Sequence, residues 1–88
     1  MAKCFQFAVI TAEGTVLSEK AEYCNIPMAD GSLGILANHA PMLCAMVKGK
    51  IYSSLEDGTE KTILVSPGIT RVCDNEVTIL CDSAEIQQ

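Results

Sequence analysis

Apolar and polar residues alternate with a period of two along most of this chain, and turn-forming clusters interrupt the alternation at roughly 8–12-residue intervals. Phe5, Phe7 and Val9 alternate with Gln6, Ala8 and Ile10, the pattern of a strand with one better-buried face. Ala12-Glu13-Gly14-Thr15 breaks that run, and Val16-Leu17 begins a short second strand. Ala21 to Pro27 reads as a third, in which Glu22, Cys24 and Ile26 oppose Ala21, Tyr23 and Asn25. Ala29-Asp30-Gly31-Ser32 is a tight-turn cluster. Leu33 to Leu36 is then a brief strand, in which Gly34 marks a bend or a close backbone approach. After the turn Asn38-His39-Ala40-Pro41, residues 42–47 are continuously apolar, which predicts a strand covered on both sides.

Lys48-Gly49 turns the chain into Lys50–Leu55, where Ile51, Ser53 and Leu55 alternate with Tyr52 and Ser54. Glu56-Asp57-Gly58-Thr59 contains Asp-Gly, which predicts a hairpin turn with φ > 0 at both central positions; Thr62–Val65 pairs back across it. Ser66-Pro67-Gly68 predicts a type II turn, with Pro at i+1 and Gly supplying φ > 0 at i+2. Ile69–Cys73, the turn Asp74-Asn75 and Val77–Cys81 form a last hairpin, and Ala84–Gln88 is too short to assign. About eight or nine short strands at this spacing predict an all-β sandwich or barrel. No helical period, repeat or linker interrupts them, so residues 1–88 form a single domain.

Composition narrows the function. Eleven acids against six bases give a formal charge of −5 without a basic cluster, which excludes the electrostatic footprint of a nucleic-acid binder. The longest apolar stretch, Ala40 to Val47, is far short of the roughly 20 residues of a spanning helix. The first ten residues lack the apolar region of a secretory signal. Five cysteines (Cys4, Cys24, Cys44, Cys73, Cys81) are an odd number with no Cys-x-x-Cys pair. That pattern predicts free, largely buried thiols in a reducing compartment, with no zinc site.

Candidate chemistry is sparse. His39 is the only histidine, with no partner at triad or metal spacing; it reads as a turn residue bonding nearby backbone or meeting a partner subunit. Gly31-x-x-Gly34 opens a strand, whereas a phosphate cradle opens a helix. Glu56, Asp57 and Glu60 read as a solvated hairpin tip. Lys48-Gly49-Lys50 raises the alternative of a lipoyl- or biotinyl-type carrier domain, which displays a lysine at a hairpin tip, although neither Asp-Lys nor Met-Lys-Met occurs there. A small metal- or thiol-binding β-domain is the other alternative. No catalytic, cofactor-binding or metal-ligating residue is expected.

Residues 31–50, beginning Gly-Ser-Leu-Gly-Ile and leading through His39-Ala40-Pro41 into an apolar strand, resemble the signature of the epsilon subunit of the rotary F-type ATP synthase. The similarity continues through Val9-Ile10-Thr11-Ala12-Glu13, Lys48-Gly49-Lys50-Ile51, Val65-Ser66-Pro67-Gly68-Ile69 and Val77-Thr78-Ile79-Leu80-Cys81-Asp82, essentially the whole chain. Where the family often carries an acid before Leu-Gly this chain has Ser32, and Ala37-Asn38 stands in place of Pro-Gly before the histidine. Asn tolerates the left-handed region, so the turn should survive. The resemblance implies a flattened sandwich of about ten strands, the amino-terminal domain of a non-catalytic central-stalk subunit. It implies that Gly31, Ser32, Leu33 and Gly34 meet the c-ring, with Ser32 and Leu33 forming a small apolar tip. Thr11, His39 and Cys44 would lie on or near the side facing the gamma subunit. Such a subunit, one copy per complex and peripheral to the cytoplasmic face of the cell membrane, would couple proton or sodium translocation to ATP synthesis. In the family a helical hairpin that restrains hydrolysis and can bind ATP follows at the position of Gln88.

Overall fold

The alternation is realised as nine strands in the computed structural model, which describes residues 3–87. They are β1 (Phe5–Thr11), β2 (Gly14–Met28), β3 (Gly31–Leu36), β4 (Met42–Met46), β5 (Gly49–Leu55), β6 (Glu60–Val65), β7 (Gly68–Cys73), β8 (Glu76–Cys81) and β9 (Ala84–Gln87). The hydrogen-bonded order is β4-β7-β8-β1-β2-β5-β6-β9, with β3 also on β2. Every pairing is antiparallel except β1 with β8, which is parallel.

One continuous sheet becomes two layers because β2 belongs to both. Its first half pairs with β1, Phe5 opposite Ala21 and Val9 opposite Leu17. Its second half lies between β3 and β5, Cys24 facing both Ile35 and Ser53. Between them Ala21 pairs with Leu55 and Tyr23 with Ser54, which leaves Glu22 as a bulged residue. A bulge shifts the side-chain alternation by one: Leu17 and Ala21 point inward before it, Cys24 and Ile26 after it. The short strands expected at 16–17 and 21–27 are therefore one long strand that folds over at Glu22.

The inward residues fill a single core. Phe5, Phe7 and Val9 of β1, Val77 and Ile79 of β8, Ile51 and Leu55 of β5 and Ile63 of β6 are all buried in it. Phe5 and Phe7 meet edge to face at 6.3 Å, a favourable aromatic arrangement.

Three local expectations are corrected. The apolar run 42–47 is not covered on both sides: β4 is an edge strand bonded only to β7, and Leu43 is 70% exposed. The Asp57-Gly58 turn has φ > 0 at Gly58 alone. Gly58 N–H donates to Leu55 O and Leu55 N–H to Thr59 O, a wider turn closed by a glycine bulge. The turn with both central residues at φ > 0 is Asp74-Asn75, at 52° and 60°. Gly68 is not in the left-handed region either, so Ser66-Pro67-Gly68 is no type II turn. Space requires that glycine: a Cβ there would lie 2.1 Å from the Leu80 carbonyl oxygen.

Candidate docking surface

Chain crossings sort the singled-out residues to the two ends of the sandwich. Val47 N–H bonds Pro27 O, and Ser66 N–H bonds Ser83 O. Together with the Thr11–Gly14 turn and the pairing of Met46 with Gly68 and Gly68 with Cys81, these bonds gather residues 11–14, 27–32, 46–49, 66–68 and 81–84 at one end. The chain start, the 37–41 loop and the hairpin tips at 56–59 and 74–75 lie at the other.

Gly31, Ser32 and Gly34 are exposed on β3, with Gly31 at φ 132° leaving the turn. Leu33 is not an apolar tip: it shares the inward face with Ile35 and packs, half-buried, against the core. The Tyr23 ring lies beside Gly34, its hydroxyl 3.1 Å from where a Cβ would sit, a close approach that favours glycine there. Thr11 shares that end, its hydroxyl donating to Gly14 O and accepting from Glu13 N–H, both at 3.2 Å.

His39 is half-buried at the far end, Nδ1 2.8 Å from Ala40 O. Its turn is held by a residue the pattern did not mark. Asn38, at φ 63°, donates its N–H to Asn75 Oδ1 at 2.7 Å, while Asn75 Nδ2 donates to Cys4 O at 2.9 Å. The left-handed geometry expected of Asn38 is what the structure shows. Asn75 thereby ties three remote segments together; only its place in an Asp-Asn turn hinted at this.

Cys44 faces inward on β4, 3.9 Å from the sulfur of Met28, and burial raises its thiol pKa. The residues that β4 turns outward are Leu43 and Ala45. They begin the feature that sequence reading missed, because apolar residues on an outward face are indistinguishable from core by composition. Ala45 pairs with Ile69, Ile69 with Leu80, and Leu80 with Ile10. This apolar row crosses four strands, with Ile69 at 45% and Leu80 at 44% exposure. Beside it a shallow groove of about 410 Å³ is lined by Ile10, Thr11, Pro67, Ile69 and Leu80.

Other features have internal explanations. Lys48 lies in the crossing from β4 to β5, strands that do not pair with each other, whereas a carrier lysine needs a hairpin tip. It borders a hollow of about 640 Å³ with Ser66 and Ser83. Ser66 Oγ there accepts the Asp82 and Ser83 N–H groups at 3.0 Å, which fastens two crossings. The five cysteines are free thiols, but against the expectation of core thiols only Cys24 is buried, which pushes its thiol up to about 12. Cys4, Cys44, Cys73 and Cys81 are half-buried because they lie at strand ends or on the edge strand β4. Among the described residues no group of three or more His, Cys, Asp and Glu side chains could hold a metal ion. No helix there is long and apolar enough to cross a membrane.

A sandwich that turns an apolar row outward across four strands, and brings together no catalytic or metal-holding group among its described residues, is a small all-β domain. Residues 4–87 match the ATP synthase delta/epsilon chain β-sandwich domain, and the chain belongs to that family. Among its relatives, the ATP synthase epsilon chain of Desulfitobacterium hafniense is 44% identical over 97% of this chain and 64% of its own length. That of Symbiobacterium thermophilum is 40% identical over 91% and 58%. The chain thus spans less than two thirds of these relatives. Its fold matches a chain of the Euglena gracilis mitochondrial ATP synthase (OSCP, F1 and c-ring) with a TM-score of 0.87, 22% identity and coverage of 98% and 54%. A chain of the Tetrahymena thermophila mitochondrial central stalk and c-ring matches with 0.77, 15%, 91% and 64%.

Proposed function

We propose that this chain acts as the β-sandwich part of an ATP synthase epsilon subunit, a non-catalytic central-stalk component. It would dock against the gamma subunit and the c-ring, one copy per complex, on the cytoplasmic face of the membrane. There it would brace the stalk through which proton or sodium flow is coupled to ATP synthesis. Relatives named as epsilon chains over nearly the whole of this sequence support the role. One geometric observation carries the gamma contact. The apolar row Ala45–Ile69–Leu80–Ile10 runs between β4, which bears Cys44, and β1, which ends at Thr11; the family resemblance assigns both to the gamma-facing side. His39 marks the far end of that side, in the loop entering β4.

At the opposite end, Gly31, Ser32 and Gly34 offer a small-residue rim for the short polar loops of the ring. Half-buried Leu33 anchors that rim to the core rather than touching the ring with its side chain.

The test is co-purification and binding to a head complex containing gamma. Ile69→Asp and Leu80→Asp place a carboxylate in the covered face, where an unpaired charge is costly. Both should weaken binding at least tenfold, about 1.4 kcal/mol, while leaving the melting temperature within a few degrees, because both side chains are solvent-exposed in the free domain. Unchanged affinity in both would place gamma elsewhere, and the absence of any complex would remove the proposal.

A further inference from the structure

Two rows of outward residues make up the middle of the proposed gamma-facing sheet. Ala45, Ile69, Leu80 and Ile10 form one, and Leu43, Arg71, Thr78 and Ala8 the other. Arg71 is the single charge among these eight positions. Its flanks are Leu43 on β4 and Thr78 on β8 across the sheet, with Ile69 and Cys73 along β7. Glu76, paired with Cys73 at the strand end, is the nearest acid in register. The ion pair among the described residues is Lys61 with Glu19, at 2.9 Å, and Arg71 bonds to neither Glu76 nor any other side chain there. An exposed guanidinium thus stands unbonded among otherwise uncharged central positions, with Glu76 and Lys20 in the next row toward the strand end, on a chain whose net charge is −5.

We infer that Arg71 selects its partner by pairing with a carboxylate on the docking surface of gamma. The inference rests on the docking face proposed above. Covering an arginine with apolar surface would bury an unpaired charge, and its planar fork pairs best with a carboxylate, in a bidentate manner. The acids of this chain repel acidic surfaces generally, so an attraction confined to one point fixes register as well as identity. The contact would be specific to Arg: a lysine supplies the charge without the fork.

Binding of the full chain to a gamma-containing head complex, measured at low and high salt, tests this. Arg71→Gln should weaken binding about tenfold or more at low salt and flatten its salt dependence. Arg71→Glu should bind more weakly still, and Arg71→Lys should fall between wild type and Gln. Thermal melts of each variant should match wild type, since Arg71 is exposed and unbonded. Equal losses for Gln and Glu that ignore salt would mean the side chain serves by shape or stacking, and would overturn the carboxylate. So would affinity within twofold of wild type for Arg71→Gln while Ile69→Asp abolishes binding; that pair of results spares the docking face. Ile69→Asp and Leu80→Asp both binding as wild type would remove the face and the pairing together.

Discussion

Thr70 is buried between β4 and β8, and its Oγ1 has no hydrogen-bond partner. An unpaired buried hydroxyl costs stability, and Val restores nearly the same shape without it. Thr70→Val is therefore expected to stabilise the domain by about 1 kcal/mol, raising the melting temperature by about 4–8 °C; a lower melting point would reveal an unseen partner for the hydroxyl. Cys24 is the opposite case, a polar atom at ease in the core. Burial pushes its thiol up to about 12, so at pH 8 it stays protonated and unreactive. Brief alkylation of the native protein should modify Cys24 last among the five cysteines, with all five reacting in denaturant. Site mapping by mass spectrometry decides it, and early labelling of Cys24 would contradict the packing.

Elements are shaped by their turns and by the irregularities of β2, at Val16 against β1 and at Glu22 against β5. At the 56–59 hairpin, Asp57 Oδ1 accepts the Thr59 N–H at 2.9 Å, and this bond holds the carboxyl below its usual value of 3.8. A lowered folded-state pKa means stability that is present above the unfolded value and lost as pH falls through the folded one. Asp57→Ala should therefore lower the melting temperature slightly at pH 7, and the gap should close as the pH is taken below 3.8. A gap that widens in acid would reverse the sign of the contact. The Glu22 bulge matters more. Deleting Glu22 would leave Ala21, Cys24 and Ile26 in regular alternation on one face but remove the bend and added twist by which β2 passes from one layer to the other. That deletion should abolish cooperative unfolding, whereas Glu22→Ala should melt near wild type; circular dichroism separates the two outcomes.

For the whole molecule, the pairings that close the sandwich join residues far apart in sequence. β1 lies beside β8, with Phe7 opposite Val77, and β4 pairs with β7. Each such pairing must pay loop-closure entropy before its contacts form. Folding is expected on the millisecond-to-second scale characteristic of all-β domains, in a single phase by stopped-flow fluorescence of the tyrosines. Microsecond folding would mean that local hairpins dominate the barrier.

Most strand positions, most turn positions and the family were legible along the chain, although β2 reads there as two strands and β9 is too short to assign. They depend on local alternation, on backbone preferences of Gly, Asn and Pro, and on ordered motifs from Val9 to Asp82. Asn38 illustrates this: its tolerance of positive φ was enough to predict the turn. What the sequence left open depended on which strand became whose neighbour. Leu43, Ile69 and Leu80 look like core residues until the pairings turn them outward into one row, and Leu33 looks like a tip until β3 folds inward. Gly68 looks like a turn glycine until the Leu80 carbonyl arrives from β8. Local propensity is a property of a few bonded residues, whereas exposure and close approach belong to surfaces brought together across tens of residues. Tertiary structure alone therefore decided which apolar residues fill the core and which stay on the surface.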